Sequence, residues 1–240
     1  MKLACASGAF DQAIGRGDLT QLEFFDLCAH ELACDGVVLD VRHFPRTDDD
    51  YLAQLKKMAA DFGLCIAALS HDGFFSASED AMRTALSWAL ALGAPLLGGR
   101  LALETASSWS EQLARLNTAT NLAKTANVTL ALRNTPATFA ATTHDCKRVF
   151  KEADSAWLRY GLDLDAFDAA SDPQALQSKD VLLWSSIRNA TSHERIITTF
   201  PAFRGFVALD DPSGAATREE MRSATHQWRI ALASQELNRT

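Results

Sequence analysis

Short apolar runs of strand length alternate along the chain with segments whose apolar residues recur every three or four positions. Eight such runs occur: Lys2–Ser7, Gly36–Arg42, Leu64–His71, Ala94–Leu101, Val128–Thr135, Leu158–Asp165, Val181–Arg188 and Gly205–Asp211. Eight strand and helix units in about 250 residues are the arrangement that closes a parallel barrel. We therefore predict an α/β fold, a (β/α)8 TIM barrel, with residues 1–240 forming a single domain.

The segments between the strands have the spacing of amphipathic helices. They are Leu19–Ala33, Asp48–Asp61, Ser76–Leu92, Ser110–Ala126, Asp145–Ala153 and Arg218–Glu236. Cap-type and acidic residues open several of them, as in Thr47-Asp48 and Ser78-Glu79, where free backbone N–H groups need acceptors. Near Asp172–Ser178 and His193–Thr199 the helical segments are shorter, so we expect only one or two turns there.

Composition and charge narrow the function classes. The 240 residues are 48% hydrophobic, enough for the core of one domain. A net charge of −7 gives no positive field for phosphate backbones or anionic lipid, so we expect neither nucleic-acid nor membrane binding. The five cysteines lack Cys-x-x-Cys spacing and predict no disulfide framework. Because no apolar segment has signal or transmembrane length, the sequence predicts a cytoplasmic protein.

Polar residues stand where the predicted strands end, and in such a barrel these ends meet around one mouth that carries the chemistry. They are Asp40, Arg42 and His43; His71 and Asp72; Arg100 and Glu104; Arg133 and Asn134; Asp163, Asp165 and Asp168; Ser186, Arg188 and Asn189; and Asp210 and Asp211. A polar residue after a strand is also typical of an ordinary loop boundary that faces solvent. The pattern therefore selects a region and leaves the reaction open.

Six short motifs at or near the predicted strands follow one another along the chain: Asp35-Gly36-Val37, Phe62-Gly63-Leu64, Leu92-Gly93-Ala94-Pro95, Leu130–Pro136, Tyr160–Asp168 and Gly205–Asp210. Their order and spacing resemble the strand motifs of the xylose-isomerase-like TIM barrels, a superfamily of sugar isomerases, epimerases and endonuclease-IV-like proteins. The resemblance covers nearly the whole chain and implies the barrel fold and a role in carbohydrate metabolism.

The resemblance also implies a metal site, which this sequence carries in degraded form. Active members typically hold Mn, Mg, Zn or Co with a glutamate, an Asp-x-x-His pair, a histidine and a glutamate from the fifth to eighth strands. The matching positions here are Arg133, Asp165 with Asp168, Ser186 and Asp210. A guanidinium is always protonated and cannot donate electrons to a metal. We expect no cofactor and only weak or absent metal binding. Arg133 is instead expected to pair with two carboxylates among Asp165, Asp210 and either Asp163 or Asp168.

Two functions stay open, and the sequence does not decide whether the chain is an enzyme. The first is a sugar or sugar-phosphate isomerase or epimerase with an altered, metal-free mouth. Its catalytic residues would be Arg133, Asp165, Asp210 and His71, with an arginine stabilising the oxyanion and an acidic residue or histidine moving the proton. A nuclease is disfavoured because the chain has neither a histidine-rich metal cluster nor a basic groove.

The second function is a non-catalytic or regulatory barrel that binds a small anionic sugar or sugar acid. Arginine forks suit carboxylate and phosphate groups, so the substrate-binding prediction comprises Arg42, Arg100, Asn134, Asp168, Ser186 and Arg188. A carbohydrate or an anionic metabolite is thus the expected partner. An exposed Phe24-Phe25 or Trp228 face would also suit a homodimer.

Overall fold

Eight parallel strands close a barrel in chain order, with β8 hydrogen-bonded back to β1. This computed structural model describes residues 1–168, 170–189 and 191–237. The strands are β1 (Lys2–Ala6), β2 (Gly36–Asp40), β3 (Cys65–Ser70), β4 (Leu96–Gly99), β5 (Thr129–Arg133), β6 (Leu158–Asp163), β7 (Asp180–Ser186) and β8 (Phe206–Asp210). Each lies within one of the eight predicted runs, apart from one residue at the start of β7, so the predicted (β/α)8 TIM barrel is confirmed.

Helices surround the barrel. They are α1 (Asp11–Arg16), α2 (Gln21–Asp26, continued by a π-helical turn over Leu27–Glu31), α3 (Asp49–Asp61), α4 (Glu79–Leu92), α5 (Trp109–Ala126), α6 (Thr143–Ala153), α7 (Ser192–Thr199) and α8 (Arg218–Leu237). Short 3-10 turns follow several strands, at Ser7–Phe10, Val41–His43, Phe74–Ser76 and Leu164–Ala166, and another covers Pro173–Lys179. In the described part of the chain, no helix is both long and apolar enough to cross a membrane.

The side chains of Asp48 and Ser78 accept a backbone N–H from the first turn of α3 and α4, as predicted. Ser108 does so for α5, two residues before the predicted start at Ser110. Helix α1 was not predicted. It has six residues and none of them is buried, so it leaves no apolar periodicity in the sequence.

The inside of the barrel holds a small cluster of its own, separate from the larger core between strands and helices. Its members are Ala4, Ala6, Val38, Ala67, Ala68, Leu182, Trp184 and Ala208. Most are small, and this leaves room for one large ring. Trp184 fills that room and is only 4% exposed, so the floor of the barrel mouth is made largely by a single indole.

Gly161 makes space for that indole. A Cβ atom built at Gly161 would lie 3.5 Å from Trp184 Nε1 and 3.5 Å from Ala131 Cβ, which is ordinary van der Waals contact. A methyl group therefore fits at this position, whereas a branched side chain would have to displace the tryptophan.

We predict that Gly161→Val lowers the free energy of unfolding by about 1–3 kcal/mol, because overpacking moves Trp184 from its place. Gly161→Ala is the matched control and should unfold close to wild type in urea denaturation. Equal stability of the valine variant would contradict the close packing of Gly161 against Trp184.

Candidate active site

A polar cavity of about 210 Å³ opens at the carboxyl ends of the strands. We call it the mouth pocket. It is lined by Ala6, Gly8, Asp11, Val38, Asp40, Arg42, Ser70, Asp72, Arg100, Arg133, Trp184, Asp210, Asp211, Pro212, Ser213 and Gly214. Four of the predicted site residues are among them: Arg42, Arg100, Arg133 and Asp210. Asp40 and Asp72, which also stand at strand ends, line the pocket as well.

Arg133 lies between two aspartates at the centre of this region. Its Nη2 donates to Asp163 Oδ2 at 2.7 Å and its Nη1 donates to Asp210 Oδ2 at 2.8 Å. The three residues end β5, β6 and β8, so the register of the barrel alone brings them together. About nine-tenths of each side chain is buried, the exposed fractions being 11%, 11% and 9%. Ion pairs this dry are strong only when well aligned, as they are here.

Neighbouring groups fix the position of this triad. The Arg133 guanidinium carbon lies 3.9 Å from the centroid of the Trp184 ring, which is a stacked cation–π contact. The Asn134 amide clamps the backbone of Asp163, donating to its carbonyl at 2.8 Å and accepting its N–H at 2.7 Å. Burial lowers the pKa of Arg133, but attraction by Asp210 and Asp163 outweighs burial and raises that pKa above its usual value.

The donor set around Arg133 does not fit a divalent cation. Within the described ranges, no group of three or more His, Cys, Asp or Glu side chains is placed to hold a metal ion. Asp163 and Asp210 each give one oxygen to the guanidinium, which occupies the space between them. A metal ion between Asp163 and Asp210 would be repelled by the Arg133 guanidinium.

Of the carboxylates expected to pair with Arg133, Asp210 and Asp163 do so, whereas the expected pairing with Asp165 is wrong. Strand β6 ends at Asp163, and Asp165 lies in the following 3-10 turn. Asp165 accepts hydrogen bonds from Asn189 Nδ2 at 2.7 Å and Ser192 Oγ at 2.9 Å instead. It ties β6 to the start of α7 and does not line the mouth pocket.

Other predicted site residues also serve the scaffold. Asn134 is 1% exposed, and both polar atoms of its amide bind the Asp163 backbone, so it holds the scaffold and does not line the mouth pocket. Arg188 lies outside the mouth pocket and binds Asp211 Oδ2 at 2.7 Å and Glu220 Oε1 at 2.6 Å, which fixes the loop before α8. Burial raises the pKa of Asp211, but the hydrogen bonds from Arg188 and from Ser213 outweigh it and hold that pKa below its usual value.

Three further predicted residues lie outside the lining of the mouth pocket: His71, Asp168 and Ser186. The His71 ring packs against Phe74 in an edge-on contact, with centroids 6.3 Å apart. Asp168 is exposed. Ser186 Oγ accepts the backbone N–H of Arg188 at 3.2 Å. The position of a residue at the end of a strand therefore predicts that it lies near the mouth, but it does not predict where its side chain points.

Sequence reasoning missed a hydrogen-bonded chain on the β1 and β2 side of the mouth. Ser7 Oγ lies 2.9 Å from His43 Nδ1, and His43 Nε2 lies 2.9 Å from Asp11 Oδ1. Ser7 and His43 are buried, whereas Asp11 faces the pocket with 42% of its side chain exposed. Its members lie 32 and 36 positions apart in sequence. The available signals were the place of Ser7 directly after β1 and that of His43, named above among the strand-end residues, just after β2.

The two remaining arginines of the pocket are paired with carboxylates as well. Arg42 donates to both oxygens of Asp40, with Nη2 at 2.9 Å from Oδ2, and its Nη1 lies 3.4 Å from Asp11 Oδ1. Arg100 Nε forms an ion pair with Asp72 Oδ1 at 3.0 Å, although not as an aligned hydrogen bond. None of the three guanidinium groups that line the pocket is therefore without a counter-charge.

Comparison with known proteins agrees with this architecture. Residues 27–188 match the family model described as xylose isomerase-like TIM barrel. No curated protein sequence matches the chain significantly.

Several solved structures have the same fold over nearly their full length. One is the probable 3-DHS dehydratase AsbF from Bacillus anthracis, with TM-score 0.74, 16% identity, and coverage of 94% of this chain and 99% of that one. An L-ribulose 3-epimerase gives TM-score 0.75 and 14% identity, covering 100% and 98%. D-psicose 3-epimerase with D-tagatose from Clostridium cellulolyticum H10 gives 0.74 and 13%, covering 99% of each chain. At such identities the likeness establishes the fold alone.

We predict that Arg133→Met destabilises the protein by about 3–5 kcal/mol in urea unfolding, because it leaves two buried carboxylates without a counter-charge. The matched control is Arg83→Met, which breaks an exposed pair with Glu79 on α4 and should cost no more than about 0.5 kcal/mol. Similar losses for both variants would contradict the central role of Arg133.

Proposed function

We propose that this chain, which belongs to the xylose isomerase-like TIM barrel family, binds a sugar in its mouth pocket and isomerises or epimerises it without a divalent metal ion. The observation that carries the proposal is the Arg133 guanidinium held by Asp163 and Asp210. The similar epimerase structures, one of them recorded with D-tagatose, support a carbohydrate as the substrate class.

Electrostatics supports metal independence. A divalent ion about 4 Å from a guanidinium would be repelled by on the order of 8 kcal/mol at an effective dielectric constant of about 20. Arg133 cannot relieve this by losing its proton, since the pKa of Arg133 is raised further by its two aspartates. The Arg133 guanidinium supplies one positive charge and further N–H donors where a metal ion would otherwise lie, and it needs no metal-coordinating side chains.

The chemistry would use two groups that line the mouth pocket. Asp210 Oδ2 is bound by Arg133, while Oδ1 lies on the side of Gly8 and accepts no hydrogen bond from a described residue. Asp210 Oδ1 would remove a proton from the carbon next to the sugar carbonyl, and the C–H electrons would form the enolate. Remaining N–H groups of Arg133 would stabilise the oxygen anion. Transfer of the adjacent hydroxyl proton to the former carbonyl oxygen, and return of the abstracted proton to the former carbonyl carbon, would complete an isomerisation.

A second candidate is a barrel that binds a sugar without changing it. The two ion pairs of Arg133 favour this candidate, because a guanidinium that already neutralises two carboxylates stabilises an oxyanion less. An anionic sugar acid is a poorer fit to this candidate, since Arg42 and Arg100 are also paired with carboxylates.

Proton exchange in deuterated water tests the two candidates. Aldoses and ketoses are incubated with the protein and excess EDTA, and deuterium at the carbon next to the carbonyl is followed by NMR. We predict exchange with wild type, a loss of about 100-fold or more with Asp210→Asn, and no loss with Asp80→Asn at the exposed start of α4.

Each contrary outcome has a definite meaning. Exchange that appears only after manganese or magnesium is added overturns metal independence. Ligand binding by calorimetry without any exchange overturns catalysis and supports the second candidate.

A further inference from the structure

The charge of the mouth pocket limits the ligand that it can hold. Five carboxylates line it, from Asp11, Asp40, Asp72, Asp210 and Asp211, against three guanidinium groups, which leaves a net charge of −2. Two charged partners just outside, Asp163 and Arg188, cancel each other. A ligand entering this cavity meets a surplus of negative charge, and the paired arginines offer an anion little compensation.

One carboxylate oxygen that faces the pocket lacks a donor among the described residues. The Asp210 side chain is only 9% exposed, and its Oδ1 accepts no hydrogen bond from a described residue. A Cβ atom built on Gly8 would lie 3.8 Å from this oxygen and 3.9 Å from Asp40 Oδ2. The absence of a side chain at Gly8 therefore keeps an open space bordered by carboxylate oxygens from β2 and β8. Asp210 Oδ1 can therefore accept a hydrogen bond from a ligand or from water.

Asp11 offers a second acceptor on the same side of the pocket, because its Oδ2 also has no donor among the described residues. An ionised carboxylate only accepts, so the His43 Nε2–H donates to Asp11 at 2.9 Å. Behind His43, Ser7 Oγ lies 2.9 Å from His43 Nδ1 and accepts the Asp40 N–H at 2.9 Å. The hydrogen bond from His43 holds the pKa of Asp11 below its usual value, despite partial burial. Asp11 thus stays an ionised, acceptor-only group at neutral pH.

We propose that the mouth pocket selects a sugar that carries an ammonium group, an amino sugar, with the nitrogen above Gly8 beside Asp210 Oδ1 and the oxygens of Asp40 and Asp11. An ammonium has three N–H donors and one positive charge: two donors match the free oxygens Asp210 Oδ1 and Asp11 Oδ2, and the charge offsets half of the surplus. The inference rests on the proposed function and adds the charge of the substrate.

Three hexoses of similar shape and different charge test this: D-glucosamine, D-glucose and D-glucuronate. We expect D-glucosamine to raise the melting temperature and to bind about 10-fold or more tightly than D-glucose in calorimetry, and D-glucuronate to give no stabilisation. The preference should shrink at high salt. Equal affinity for D-glucose, tighter binding of D-glucuronate, or no melting-temperature shift with any of the three overturns the inference.

Gly8→Ala supplies the site-specific variant. The new methyl group makes only ordinary van der Waals contacts with Asp40 and Asp210, so the apo protein should melt near wild type, yet the methyl fills the space assigned to the ammonium. We expect it to lose about 10-fold or more of D-glucosamine affinity. Gly15→Ala, which has no atom within 4 Å of the added Cβ, is the control and should bind as wild type does. Full binding by Gly8→Ala contradicts the assigned position.

The two proposals fail separately. Deuterium exchange with neutral sugars together with equal binding of D-glucose and D-glucosamine leaves the proposed function intact and removes the amino-sugar inference. Selective D-glucosamine binding without exchange of any sugar, D-glucosamine included, removes catalysis and keeps the charge preference.

Discussion

The ion pairs of Arg133 with Asp163 and Asp210 are the constraint on which the mouth of this barrel depends. Two carboxylates that end adjacent or nearby strands cannot both stay buried and ionised without a counter-charge. Arg133 supplies it from the end of β5, through two hydrogen bonds of 2.7 and 2.8 Å. Two further contacts hold the ion pair in place. The Trp184 ring positions the Arg133 guanidinium, and the Asn134 amide positions the backbone of Asp163.

A fixed guanidinium and a bound metal differ in what they leave for a ligand. A divalent ion brings two charges and open coordination positions, whereas Arg133 brings one charge and directs two donors at its own aspartates. The mouth pocket therefore keeps a surplus of carboxylate charge, with acceptor oxygens on Asp210 and Asp11 that no described residue satisfies. The proposed proton transfer and the proposed amine recognition both draw on these oxygens, so both proposals rest on the same constraint, the pairing of Arg133 with Asp163 and Asp210.

The sequence predicted the barrel well because strand and helix periodicities are local signals, and because eight repeats leave few arrangements. It also singled out Arg133 and Asp210, since each ends a strand where the carboxylate of a family member would be expected. It did not separate Asp163 from Asp165, because the end of β6 decides which side chain enters the barrel, and that boundary is uncertain by a residue or two. The Ser7, His43 and Asp11 chain depends on contacts between β1 and β2 loops, which no local pattern encodes.

Metal content measures the central claim most directly. Purified protein is incubated with manganese, desalted and analysed for metal, together with Asp163→Asn and Asp210→Asn. If Arg133 takes the place of the cation, wild type retains no stoichiometric metal and neither variant changes the result. One tightly held ion per wild-type chain that both variants lose would contradict the account.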